Sequence, residues 1–155
     1  MLTPGPYTLQ CDLQDAKGNS YYLTFLNGVI SFNSGTGTSA AQIIWSPKSS
    51  ESNDGSIALG GNHFIGRQSD GDAGTAITAT SLSLIPLGTA NGHDTYMIRI
   101  QWTSESVLQT AYLGIEDGAV PGNDLRFLAY SGNLVSAPRK QKWIFMPSQQ
   151  PHRPR

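Results

Sequence analysis

The chain of 155 residues contains one cysteine, Cys11, and therefore cannot form an internal disulfide. It has no apolar run approaching the roughly 20 residues that a membrane-spanning helix needs. It also has no basic stripe that could neutralise nucleic-acid phosphates, since its 10 Lys and Arg balance 11 Asp and Glu. Residues 1–6 lack the basic start and apolar core of a signal peptide. We therefore expect a cytoplasmic monomer that binds neither nucleic acid nor membranes and buries Cys11 in an apolar core.

A helical period is also missing. Instead, short stretches in which apolar and polar residues alternate, as in β-strands, follow one another along the sequence. They form three units of four strands over residues 6–47, 55–87 and 93–147, followed by a tail at 148–155. Each unit can bury its apolar face only against the other two. This pattern predicts an all-β fold, a single β-trefoil domain over residues 1–155, in which six strands close a barrel and three hairpins cover one end. A β-sandwich is the alternative.

Several details of the units follow from the same pattern. Trp45 and Trp143 end the first and third units, and we expect both rings in the barrel with their N–H groups hydrogen-bonded. Glycine-rich and polar stretches predict a turn at residues 69–74, a connection at 88–94 and a longer loop at 103–109.

Residues that could support catalysis or metal binding are few. His63, His93 and His152 have no partner suggested by spacing, and no pair of His or Cys has the separation of a zinc site. Asp70-Gly-Asp72 and Glu116-Asp117-Gly118 are turns rather than calcium loops, because neither continues into a twelve-residue ligand series. The sequence therefore predicts a protein that is not an enzyme and holds no metal or cofactor.

The best-defined turn is Asn27-Gly28, which joins two apolar strands directly. Both residue types tolerate positive φ, so the pair predicts a two-residue hairpin turn. One interpretation is that the pair serves backbone geometry alone. The other is that the tip, Leu26 to Val29, is a stiff loop that enters a protease cleft and loses little conformational entropy on binding.

Two further hypotheses compete with this tip. Lys48 follows Pro47 in a polar loop, and an acidic protease pocket prefers a cation. The second hypothesis is a sugar pocket in the third unit, in which an acid binds the sugar hydroxyl groups and an aromatic ring stacks on the sugar ring. Its residues would be Asp117, Tyr130, Asn133 and Gln141. The other interpretation, which the sequence favours, is that these four residues are turn and barrel-closing positions.

The motifs Pro4-Gly-Pro-Tyr7, Leu26-Asn27-Gly28-Val29 and Lys142-Trp143-Ile-Phe145 lie at both ends and near the first hairpin. Through them the chain resembles the mushroom β-trefoil serine protease inhibitors over about Pro4 to Pro147. The resemblance implies that the loop after the second strand enters a trypsin-like protease. Asn27 would occupy the primary specificity pocket and Gly28 would follow the scissile bond.

Relatives of these inhibitors leave other functions open. The mycocypins inhibit papain-like cysteine proteases, and fungal trefoil lectins bind sugars on the same fold. Plant Kunitz inhibitors differ by disulfides that this chain cannot form, and they use the loop after the fourth strand, where Lys48 lies. The resemblance further implies a role in defending fungal tissue.

Overall fold

The computed structural model describes residues 2–35 and 40–148, and within them the protein is all-β. Twelve strands belong to one antiparallel sheet. Two 3₁₀ turns, Leu134–Ser136 and Arg139–Gln141, precede the last strand. The strands are β1 (Gly5–Gln14), β2 (Ser20–Leu26), β3 (Val29–Ser34), β4 (Ile43–Pro47), β5 (Asp54–Leu59), β6 (His63–Arg67), β7 (Ala73–Ala76), β8 (Leu82–Ala90), β9 (His93–Ser104), β10 (Val107–Gly114), β11 (Arg126–Leu128) and β12 (Trp143–Pro147).

Six of the strands pair in succession and return to their starting point. β1 pairs with β4, β4 with β5, β5 with β8, β8 with β9, and β9 with β12. β12 then pairs with β1, where Cys11 lies opposite Trp143. We call these six strands the ring.

The other six strands form three pairs: β2–β3, β6–β7 and β10–β11. Each pair is joined to the ring through one strand, β1, β5 or β9. Backbone bonds also connect the pairs to one another. The Leu125 N–H donates to the Ile30 carbonyl at 3.1 Å, and the Ala73 N–H donates to the Leu125 carbonyl at 2.8 Å. The three pairs therefore brace each other.

Alternate side chains of the ring strands meet in one apolar cluster. Leu9, Ile57 and Ile98 are among its fully buried members. Trp143 is buried there, and its Nε1 donates to the Leu113 carbonyl at 2.9 Å. Trp45 is buried as well, but its Nε1 has no hydrogen-bond partner, so the expectation that both indoles are bonded holds only for Trp143.

Two connections are shorter than the sequence predicted. β8 and β9 are joined by Asn91-Gly92, with φ of 53° and 82°, so the expected connection at 88–94 is a two-residue turn. The loop expected at 103–109 is wrong, since β9 reaches Ser104 and β10 starts at Val107. This end of the β9–β10 pair is exposed on both faces. It therefore lacks the apolar alternation by which a half-buried strand is found.

Two other expectations concern the ends of segments. The turn expected at 69–74 ends earlier, because β7 already begins at Ala73. The predicted tail at 148–155 lies outside the described residues except for Ser148. In residues 2–35 and 40–148 no helix has the length and apolar character to cross a membrane.

Cys11 is buried in the core, as predicted. Its thiol donates to the Arg139 carbonyl at 3.2 Å. Burial is the main cause that raises the pKa of Cys11 from 9.0 to about 12. The folded protein therefore keeps this thiol protonated at pH values where an unfolded chain ionises it.

Gly55 sits where β5 pairs with both β4 and β8. A Cβ at this position would lie 2.7 Å from Trp45 Cη2 and 2.8 Å from Pro47 Cα, and it would also overlap the Ser46 carbonyl oxygen. We predict that Gly55→Ala lowers the free energy of unfolding by about 2–3 kcal/mol, measured by urea denaturation. Gly60→Ala is the control, because nothing lies within 4 Å of its Cβ position. A change within about 0.5 kcal/mol is expected there. Equal midpoints for the two variants would contradict this packing.

The raised pKa of Cys11 predicts a pH dependence of stability. Because the folded pKa lies above the unfolded one, the free energy of unfolding is insensitive to this thiol well below pH 9. It falls by about 1 kcal/mol between pH 9 and 10, as the unfolded thiol ionises first. The pKa values of Tyr7 and Tyr96 are also raised by burial, but from 10.0, so the loss of stability that these two tyrosines cause is centred at higher pH. Cys11→Ala should remove most of the decline between pH 9 and 10, and an unchanged slope would contradict the assignment.

Candidate functional site

The turn between β2 and β3 presents four consecutive exposed residues. Asn27 and Gly28 have φ of 52° and 78°, the positive values of a two-residue hairpin turn. Leu26 and Val29 face each other across the turn and are 61% and 44% exposed. The structure thus brings the predicted residues Leu26 to Val29 together at one tip with apolar flanks. We call these four residues the hairpin tip.

The strands below the hairpin tip are held firmly. The hydroxyl groups of Thr24 and Ser31 are 2.8 Å apart and buried. Ile30, directly after the tip, is buried in the core and accepts the bond from the Leu125 N–H. A shallow cavity of about 200 Å³ lies beside the tip, between Val29 and the β6–β7 turn. The tip is therefore short and is mounted on a fixed base.

Lys48 lies in a different hairpin, the one that joins β4 to β5. Its backbone N–H donates to the Asp54 carbonyl at 2.8 Å, which closes the loop at its base. The residue is exposed. Glu51 at the far end of the loop has φ of 64°. Lys48 and the hairpin tip are thus two separate protruding elements.

The four residues of the sugar hypothesis have their polar groups engaged within the protein. The Asp117 carboxylate pairs with Lys140 Nζ at 3.1 Å. The Tyr130 hydroxyl donates to the Asn133 carbonyl at 2.6 Å, and Asn133 Oδ1 accepts from the Val135 N–H at 3.0 Å. Gln141 is buried, and its Nε2 donates to the Leu128 carbonyl at 3.0 Å. The contacts of Tyr130, Asn133 and Gln141 support structural roles at the β10–β12 connection, whereas the Asp117 side chain is 87% exposed and its ion pair lies at the surface.

An acidic cleft next to this region was not foreseen from the sequence. Arg126 lies between Asp72 and Glu116, with Nη1 to Asp72 Oδ1 at 2.5 Å and Nε to Glu116 Oε2 at 3.4 Å. Burial is the main cause that raises the pKa of Asp72, and the neighbouring Asp70 adds to it. The ion pairs tie the β6–β7 turn to β11. Asp72 and Arg126 are 54 positions apart in the sequence, so no local spacing could have indicated their pair.

Groups that could perform chemistry stay apart. His63 Nδ1 lies 3.3 Å from the Gly60 carbonyl, and its ring is tilted against Phe25. In the described part of the chain no group of three or more His, Cys, Asp or Glu is placed to hold a metal ion. The thiol of Cys11 is buried and protonated, so it offers no nucleophile.

Comparisons with known proteins give no further guide to this surface. No protein-family profile and no curated protein sequence matches the chain at a significant level.

The engaged amide of Gln141 predicts a structural role. Gln141→Met keeps a similar volume but leaves the Leu128 and Tyr112 carbonyls without this donor, at 3.0 and 3.4 Å in the parent. We expect the free energy of unfolding to fall by about 1–3 kcal/mol in urea denaturation. Asp117→Ala is the control, because this side chain is 87% exposed, and it should change stability by less than about 0.5 kcal/mol. The opposite ranking would argue against a structural Gln141.

Proposed function

We propose that the ring and the three strand pairs form a β-trefoil, and that the protein is a non-enzymatic inhibitor of trypsin-like serine proteases. The hairpin tip is the segment that enters the protease cleft. The observation that carries this proposal is the run of exposed residues 26–29 directly above a buried base. Likeness to the mushroom trefoil inhibitors supports the same tip and suggests a role in defence.

The exposed apolar side chains on both sides of the turn favour binding to a partner that buries them. Leu26 is 61% exposed and Val29 is 44% exposed, although both strands continue into the core within one residue. Burying two such side chains in a partner contributes roughly 1.5–3 kcal/mol each before the costs of association. The fixed base lowers those costs, because little of the loop remains to be ordered.

The backbone of the tip bears on how it can bind. A protease cleft pairs with an extended segment, whereas Asn27 is left-handed at φ 52°. Substrate-like binding therefore requires Asn27 to rotate out of the turn conformation, and the adjacent Gly28 follows this rotation without a side-chain clash. The pairing of Leu26 with Val29 holds both sides of the Asn27–Gly28 bond, so the two ends of a cleaved bond would stay together. Religation is then favoured over release of a cleaved product.

The side chain of Asn27 supplies polarity without charge. Its amide can donate hydrogen bonds to the acidic primary pocket of trypsin, directly or through water. Lys48 could form an ion pair in the same pocket, and its loop is also exposed, so it is the rival specificity residue. The two alternatives differ in which loop contacts the enzyme, and substitutions separate them.

The proposal predicts near-stoichiometric loss of trypsin activity when the enzyme is titrated with the protein and assayed on a small chromogenic substrate. Asn27→Asp has the same shape and also tolerates positive φ, but it places a second carboxylate in the acidic pocket. We expect inhibition by this variant to weaken roughly 100-fold or more, since like charges brought together cost several kcal/mol. Lys48→Gln is the matched control and should inhibit as the parent does.

Other outcomes assign the function elsewhere. Weak inhibition by Lys48→Gln with full inhibition by Asn27→Asp would move the site to the β4–β5 loop. Undiminished trypsin activity would discard trypsin as a target. A parallel titration of papain tests the cysteine-protease alternative, and a glycan array with Asp117→Ala and Tyr130→Ala tests the sugar alternative.

A further inference from the structure

A cavity of about 530 Å³ lies between the β6–β7 pair and the far end of β9. Arg67 and Trp102 dominate its wall, and the guanidinium carbon of Arg67 sits 3.8 Å above the centre of the Trp102 ring. A guanidinium held flat on an indole has a fixed direction, unlike a cation on a free side chain. Its planar donors suit a carboxylate.

Arg67 carries a charge that its neighbours do not neutralise. Four other cations pair with acids within 4.0 Å: Arg126, Arg139, Lys140 and Lys142. Within residues 2–35 and 40–148 Arg67 has no such pair, and its Nε is buried without a hydrogen-bond partner. A buried donor of this kind gains most from an anion that reaches it.

The cavity exists because two strands separate. β8 and β9 are paired as far as Ser83 opposite Arg99. Continuing the same register would place Ser81 opposite Gln101 and Thr80 opposite Trp102. The ladder stops instead, and these four residues line the cavity. Among residues 2–35 and 40–148, β10 is the only strand that pairs with β9 from residue 100 to 104, so the other edge of β9 is unpaired there.

Residues 100–104 carry none of the protective residue types that are usual on an edge strand. Lys, Pro or a covering loop normally shields an edge strand from pairing with another chain. The residues are Ile100-Gln-Trp-Thr-Ser104, without charge or proline. In an antiparallel pair every second residue turns its N–H and C=O away from its partner, so this stretch offers donors and acceptors to an incoming strand.

The opposite wall is shaped by two glycines. Gly66 and Gly74 are register partners across β6–β7. A Cβ on Gly66 would lie 3.1 Å from Thr80 Oγ1, and one on Gly74 would overlap the Gln68 side chain. Thr80 and Gln68, which line the cavity, occupy the space that side chains at these two positions would need.

We propose that the open edge of β9 binds an extended segment of a partner protein by β-strand addition, with an acidic side chain of that segment on Arg67. Backbone hydrogen bonds along residues 100–104 supply affinity, and the Arg67–Trp102 stack selects the carboxylate. Gln68 and Thr75 line both this cavity and the one beside the hairpin tip, whereas Arg67 and Trp102 line only this one. The two sites are thus adjacent but separable.

The test uses two blocked five-residue peptides, acetyl-TVEVT-amide and acetyl-TVQVT-amide, with Trp fluorescence as the readout. Trp102 reports on the site because Trp45 and Trp143 are 1% and 0% exposed. The Glu peptide should change the emission and bind about tenfold tighter than the Gln peptide. In ¹⁵N spectra its largest shifts should fall on residues 100–104. This comparison needs only the unmodified protein.

Variants assign the effect to Arg67. Arg67→Gln should reduce binding of the Glu peptide to that of the Gln peptide and leave trypsin inhibition unchanged. Arg139→Gln removes a cation that pairs with Asp12 elsewhere, and it should keep the tenfold preference. The proposal is overturned if the two peptides bind equally, if neither binds at about 1 mM, or if shifts avoid residues 100–104. Free glutarate that binds as tightly as the Glu peptide would leave a small-anion site and remove the strand-addition claim.

Discussion

Pairing of the first strand with the last is the contact on which the rest of the fold depends. Residues Tyr7 to Cys11 of β1 lie opposite Pro147 to Trp143 of β12, and this ladder closes the ring. Without a disulfide or an α-helix in the described residues, the ring depends on its backbone ladders and on the apolar side chains that it encloses. Closure also removes the two free edges that an open sheet would expose. The three strand pairs are then held by their pairing with the ring and by the backbone hydrogen bonds between them.

This closed frame holds the base of the short hairpin tip that we propose as the binding element. The hairpin tip is four residues long, yet Ile30 beside it is 1% exposed and bonded to Leu125. Because the residues below it are fixed, such a loop needs very few residues to keep its shape. Sequence changes at the tip therefore need not disturb the core. The β9 edge differs from the hairpin tip. Residues 100–104 of β9 extend beyond the last residue that pairs with β8, and the cavity beside Arg67 lies at this unpaired edge.

Much of the all-β architecture could be predicted from alternation, because Tyr7, Leu9 and Cys11 follow the period of two that half-buried strands require. The Asn27-Gly28 turn could also be predicted, since its conformation is local. The β9–β10 turn could not, because Glu105 and Ser106 have φ of 52° and 66° without the residues that usually favour such values. The Arg67–Trp102 stack could not be predicted for another reason: it joins β6 and β9, which are far apart in the sequence and do not pair with each other.

Hydrogen–deuterium exchange on the protein, alone and in complex with trypsin, tests the central claim most directly, because it shows which backbone the enzyme covers. If the hairpin tip enters the protease cleft, new protection appears at residues 26–29, with smaller changes in the adjacent β6–β7 turn that shares a cavity with Val29. Residues 48–53 and 100–104 should exchange as in the free protein. Protection centred on residues 48–53, or an unchanged pattern at the hairpin tip, would contradict it.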